Sequence, residues 1–226
     1  KAGNKGSLVQ ADIESQVGTR ELMVSWSLSE PSSILQRRGS LAIEYPFEID
    51  SNLSSLGNII GVCAVVQFLG QDFQAMEVRV KQPMDRDYFD LAQQICGTQA
   101  RISATISSQK PRKTAPPLGG VGLLMGGGIE STFAAMRLRD VKPILIQICG
   151  PDWMNSDYSS FSSKERLENE FASNLGCEIL RVQTDLKRAF KPLHDLDEQI
   201  NRLFTGLFFY FSSVPIAQRM SLQFSV

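Results

Sequence analysis

The stretch Val121 to Thr132, VGLLMGGGIEST, narrows the choice of fold more than any other part of the chain. Val121 to Met125 is a short apolar run suited to a buried strand, and it feeds without a spacer into Gly126, Gly127 and Gly128. A helical segment from Ser131 to Leu138 follows at once. Glycines at this junction leave backbone N–H groups uncovered by any Cβ, and the start of the following helix adds partial positive charge. Phosphate is the natural ligand of such a turn. A bare tight turn from strand to helix, with no ligand, is the alternative reading of the same residues.

The remainder of the chain after this loop alternates short apolar strands with longer helical segments, the pattern of a mostly parallel sheet covered on both faces. Pro143 to Cys149 reads as the second strand and Glu178 to Gln183 as the third. Between them runs a helix that Ser162 or Ser163 can cap, with Leu167, Phe171 and Leu175 on one face and Gly176 as its stop. Asp195 is placed to cap a long helix whose Leu196, Ile200, Leu203, Phe204, Leu207, Phe208 and Phe211 keep helical spacing. That stripe reads as core, and Pro215 should end or kink the helix. Leu222 to Val226 begins a further strand, which suggests a piece of a longer protein.

Ahead of the loop the pattern differs. Lys1 to Thr19 is polar and reads as a loose end. Leu22, Val24, Trp26 and Leu28 alternate with polar residues, as do Leu41, Ile43, Tyr45, Phe47 and Ile49, which predicts two half-buried strands joined through Pro31 to Gly39. From Leu56 to Leu69 apolar residues occupy most of a helical circumference, the mark of a buried helix that stops at Gly70. Met76, Val78 and Val80 form another strand, Asp85 to Gly97 a second helix, and Ile102 to Ile106 a last strand, roughly ββαβαβ. Ser107 to Gly120, with Pro111, Pro116 and Pro117, breaks both helix and strand. The expected organisation is therefore a loose segment 1–19, an α+β domain 20–108, a linker 109–120 and an α/β nucleotide-binding domain 121–226.

Charge and cysteine content bound the partners. A formal net charge of -1 offers no concentrated basic surface for nucleic acid or an anionic membrane. Cys63, Cys96, Cys149 and Cys177 lie far apart without CxxC spacing, so they read as reduced, mostly buried thiols. No apolar run is long enough to span a bilayer and no leader pattern stands at the start, which makes the cytoplasm the default expectation.

Gly126-Gly127-Gly128-Ile129-Glu130-Ser131 resembles the signature of the PP-loop ATP pyrophosphatase superfamily, SGGxDS after the first strand of a Rossmann-like sheet. Gly127, Gly128 and Ser131 match, whereas Gly126 stands for the usual Ser and Glu130 for the usual Asp. Within the superfamily the loop is most similar to members with GGGxDS, as in ATP-dependent muropeptide glutamate epimerase, and next to 7-cyano-7-deazaguanine synthase-like proteins. The resemblance implies a Rossmann-like, HUP-type α/β fold with a smaller α+β domain before it. It implies ATP and Mg2+ as cofactors, splitting of ATP to AMP and pyrophosphate, and adenylation of a carboxylate or carbonyl oxygen on a small molecule or peptide precursor. Met125, Gly126, Gly127, Gly128, Ile129, Ser131, Thr132 and Gln147 would contact the nucleotide, with Glu130 and Ser131 as catalytic candidates and Glu130 also as the Mg2+ ligand. The competing function is a nucleotide-binding or interaction module that keeps the fold without catalysis, because Gly126 and Glu130 replace expected polar residues.

Other polar residues point to the site less directly. Thr184 and Asp185 follow the third strand, at the carboxyl end where ligands of parallel sheets gather, or else cap a helix. Cys149 could present backbone to adenine or be buried, and His194 reads as a surface or capping residue. Lys110, Arg112 and Lys113 read as part of a solvated linker or as contacts to substrate anions.

Overall fold

Apolar residues at every second position give the first part of the chain its strands, and helical spacing gives it the layer that covers them. A computed structural model of the chain describes residues 8–107, 120–150, 158–186 and 198–225. In chain order the strands are β1 Leu8–Val17, β2 Glu21–Leu28, β3 Arg38–Glu44, β4 Ala75–Met84, β5 Ala100–Ile106, β6 Gly120–Leu124, β7 Ile144–Cys149, β8 Ile179–Thr184 and β9 Leu222–Ser225. The helices are α1 Ser54–Leu69, α2 Arg86–Cys96, α3 Ile129–Arg137, α4 Tyr158–Leu175 and α5 Glu198–Met220.

All nine strands join one sheet in the order β5-β4-β1-β2-β3-β8-β7-β6-β9. The pairs β1·β4, β4·β5, β6·β7, β6·β9 and β7·β8 are parallel, and β1·β2, β2·β3 and β3·β8 antiparallel. The architecture is thus mixed α/β with a mostly parallel sheet. The two halves expected from the sequence share this sheet through a narrow seam, Ile43 opposite Thr184 and Glu44 opposite Gln183.

Two apolar clusters lie on opposite faces of the sheet. On one face α1, α2 and α5 pack together, with Phe68 of α1 edge-on to Phe204 of α5 at 4.9 Å. On the other, a smaller cluster joins Leu123, Met125 and Leu145 to Ala135 of α3 and Ala172 of α4. Of the sixteen residues of α1, fourteen are buried, as the apolar circumference predicts. Ser51–Leu69 has the length and composition of a membrane span, contrary to the sequence expectation that no run reaches it. Most of it is buried inside this fold, which identifies it as a core helix.

The helix approaches the sheet closely because glycine faces it. A Cβ on Gly57 would lie 2.7 Å from the Ser15 Cβ, and one on Gly61 would lie 2.7 Å from both Ile13 Cγ2 and Val24 Cγ1. No larger side chain fits between the layers at those points.

Four further expectations are corrected. Residues 8–17 of the segment read as loose form β1, which sits between β2 and β4 with Val9, Ala11 and Ile13 fully buried. The first half therefore reads βββαβαβ. The strand expected to run through Phe47 and Ile49 ends at Glu44. Helix α4 starts at Tyr158, so Ser162 and Ser163 lie within it rather than at its cap. Pro215 does not end α5, which continues to Met220. Gly97 and Gly176 do close α2 and α4 with positive φ, 54° and 64°. The linker residues 109–119, with Lys110, Arg112 and Lys113, lie outside the described residues, as do residues 1–7, His194 and the Asp195 cap, while Gly120 opens β6.

Candidate functional site

β6 is held between β7 and β9, and its carboxyl end opens directly into the glycine loop. Met125 anchors the loop from below: its side chain is buried and its amide donates to Ile146 O at 2.8 Å. Gly126, Gly127 and Gly128 are exposed. Gly127 has φ of 74°, the left-handed region, where a side chain would be strained. A Cβ on Gly126 would meet nothing within 4 Å, so open space stands over the loop at that point.

Helix α3 begins at Ile129, whose side chain is 87% exposed. Gly128 is its N-cap residue and supplies no side chain, so no side-chain hydrogen bond caps the helix. The first amides of a helix have no partner within it, and an anion is the ordinary substitute for a missing cap. Ser131 Oγ and Thr132 Oγ1 donate back to Gly128 O at 3.2 and 2.8 Å. Their hydrogens are thus directed at the helix start and not outward. The Glu130 carboxylate also folds back, since a Cβ on Gly128 would lie 3.3 Å from Oε2.

The loop stands where the winding of the sheet reverses. From β6 the chain moves to β7 and β8 in one direction through α3 and α4, then returns through α5 to β9 on the opposite side of β6. The helices of the two directions lie on opposite faces. In an open α/β sheet the crevice at such a reversal, at the carboxyl ends of the strands, is the usual place for a ligand.

The side chain of Gln147 is taken up inside the fold, away from the loop's hydroxyls. It is buried in β7, donating to Glu168 Oε2 at 2.6 Å and accepting from Arg181 Nε at 2.9 Å. Arg181 also donates to Asn169 Oδ1 at 2.8 Å. These bonds fasten α4 to β7 and β8. Thr184 and Asp185 fasten the seam: Thr184 Oγ1 donates to Ala42 O at 2.9 Å, and Asp185 Oδ1 accepts from Ala42 N at 2.6 Å. Thr184 Oγ1 also accepts from Leu186 N at 3.2 Å, and the helix that the sequence expected it to cap lies outside the described residues. Cys149 is buried, as are Cys63 and Cys96. Burial pushes the Cys96 thiol up to about 12 and the Cys63 thiol higher still, with the proximity of Cys96 adding to the latter.

A phosphate group fits the loop on two counts, the uncapped helix start and the open space over Gly126. For Mg2+ the loop itself carries one carboxylate, Glu130, and the described residues hold no cluster of three or more His, Cys, Asp or Glu ligands. One carboxylate is compatible with Mg2+ when phosphate oxygens and water complete the shell. Comparison of the chain with family models, with curated proteins and with solved structures finds no match in any of the three.

Sequence reasoning missed the open face of β1, β2 and β3, where two overlapping concavities are lined by Gln10, Asp12, Ser25, Ser27, Arg37 and Arg38 among others. With β1 unrecognised, no sequence signal could have set these residues side by side.

Proposed function

We propose that the chain is an ATP-dependent enzyme of the PP-loop type, which forms AMP and pyrophosphate while adenylating a carboxylate or carbonyl oxygen of a small molecule or peptide precursor. The observation that carries the reading is the position of the glycine loop, at the carboxyl end of β6 where the winding reverses between β7 and β9. The order β8-β7-β6-β9, with helices on both faces, is the arrangement expected of a Rossmann-like, HUP-type unit.

In this reading the amides of Gly128 to Ser131 would hold phosphate oxygens, and the positive end of α3 would offset their charge. Gly127 sets the turn that points those amides at one place. Glu130 would present its carboxylate to Mg2+, which screens the charge that builds on pyrophosphate as it leaves. Ser131 and Thr132 would turn their hydroxyls from Gly128 O towards the phosphates.

A second reading has its own observation. Both hydroxyls and the Glu130 carboxylate are engaged with the helix start. A module that binds nucleotide without turning it over would look the same. Calorimetric titration with ATP, with and without Mg2+, in wild type and Glu130→Gln, tests the site. Binding that tightens with Mg2+ in wild type and much less in the variant supports the metal role. No binding of ATP at millimolar concentration would sink both readings. Binding without release of AMP or pyrophosphate in the presence of candidate carboxylic acids would favour the module.

A further inference from the structure

The strand register of the first half sets four residues in a row across the outward face: Arg79 of β4, Asp12 of β1, Ser27 of β2 and Arg38 of β3. Along the next row Glu14 stands opposite Ser25, and Ser25 opposite Ser40. Short serine side chains on β2, between Asp12 and Glu14 of β1 on one side and Arg38 of β3 on the other, leave a trough. The two concavities found there measure about 610 and about 560 Å3 and share Asp12, Ser27 and Arg38.

The walls of the trough carry opposite charge, and most of the neighbouring charges are already used. Lys81 pairs with Glu14 at 3.4 Å and Arg79 with Glu77 at 3.4 Å. Arg37 spends its guanidinium on Leu28 O and Ser29 O at 3.3 and 3.2 Å, and Asp185 accepts from Ala42 N. Asp12 and Arg38 have no side-chain hydrogen bond or ion pair among the described residues. A carboxylate acceptor and a guanidinium donor thus face each other across a floor of hydroxyls.

We propose that this trough binds a free α-amino acid, with Asp12 receiving the α-ammonium and Arg38 the α-carboxylate. The distance suits that class. Asp12 and Arg38 stand two strand spacings apart, about 10 Å at the backbone, and side chains that stand roughly perpendicular to a sheet start from about that separation at their charged ends. One residue of about 3.4 Å with a charge-assisted hydrogen bond of about 2.8 Å at each end spans about 9 Å. The hydroxyls of Ser27 and Ser40 can donate to the ligand or accept from it, whereas that of Ser25 already donates to Glu14 O at 3.3 Å and can only accept. The open side of the trough leaves room for a side chain. The site lies on β1 to β3, so it does not depend on the nucleotide reading at β6.

The probe is L-alanine, with N-acetyl-L-alanine and L-alanine amide as partners that each lack one charge, followed by NMR of the labelled 226-residue chain. Saturable shifts confined to β1, β2 and β3 are expected with L-alanine, and each single-charge analogue should bind at least about tenfold more weakly. Asp12→Asn should lower L-alanine affinity about tenfold and abolish the penalty for acetylation, while Arg38→Gln should do the same for amidation. Arg38→Lys should keep part of the affinity. Arg38 is exposed and Asp12 half-buried, so a thermal melt matching wild type should accompany both variants. Absence of saturable shifts, or equal affinity in wild type and both variants, would overturn the assignment.

Discussion

Replacing Gly61 by alanine tests the close contact between α1 and the sheet. The added Cβ would sit 2.7 Å from Ile13 Cγ2 and from Val24 Cγ1, both on fully buried β-branched residues of adjacent strands. Neither branch can swing aside, because its rotamer is restricted and its surroundings are filled. Overpacking of this kind costs about 1–3 kcal/mol, and two simultaneous collisions place this site near 3. Against that stands the gain from replacing glycine inside a helix, about 1 kcal/mol. The net expectation is a loss of about 2 kcal/mol. Gly206 on α5 supplies the control, since a Cβ there meets nothing within 4 Å. Gly206→Ala should raise stability by about 0.5–1 kcal/mol through propensity alone. Urea unfolding followed by circular dichroism reads both, with the midpoint compared at constant slope. Val24→Ala removes one of the two colliding atoms, so the double variant should be less destabilised than the sum by at least about 0.5 kcal/mol. A Gly61→Ala midpoint equal to or above wild type would show that the layers are not held as close as described, and the reasoning would fail.

Two other expectations concern the loop and the buried thiols. Gly127→Val should cost about 1–2 kcal/mol of stability through its positive φ and remove nucleotide binding, whereas equal ATP affinity in calorimetry would reduce Gly127 to a structural turn. Cys96 is raised by burial from its ordinary 9.0 to about 12, and Tyr88 from 10.0 to about 12 by burial first and then by Asp85. Above those ordinary values the unfolded chain gives up protons that the folded chain keeps. Stability should therefore be fully present below about pH 9 and decline as pH rises towards 12. Urea midpoints at about pH 8 and about pH 10 check it, and a Cys96→Ala variant with an unchanged pH slope would remove the thiol from the explanation.

The elements that could be read from the sequence are those whose signal is local. The stripe Phe204, Leu207, Phe208 and Phe211 declares a core helix by itself, and the buried circumference of α1 does the same. The glycine loop was readable because strand, turn and helix follow one another along the chain. β1 was not, and the reason is physical. Its inward positions include Ala11 and Ser15, small or polar residues that weaken the alternation, and they are small because Gly57 and Gly61 bring α1 close to that strand. The cause lies forty residues away in sequence, as the hydrogen bond from Ser15 Oγ to Asn58 Oδ1, with a separation of 43, illustrates. Pro215 does not end α5 for a similar reason, since the buried Phe211 and Ile216 pack the helix on both sides of a residue that would stop an isolated one. Asp12 and Arg38 become neighbours only through register, which no local pattern specifies.

The seam between β3 and β8 has a consequence for how the chain is made. Asp185 and Ala42, which it joins, are 143 residues apart, so the whole stretch between them must leave the ribosome before they can meet. Until then β3 is a bare sheet edge, and the face of α1 that carries Phe68 waits for Phe204. Such edges invite pairing with other nascent chains. β3 meets the hazard with charge at both ends, Arg38 and Glu44, around a short apolar centre of Leu41, Ala42 and Ile43. Closure of so long a loop carries an entropy cost that grows only slowly with length. The delay in synthesis, more than that cost, sets the interval during which the unfinished sheet must resist aggregation.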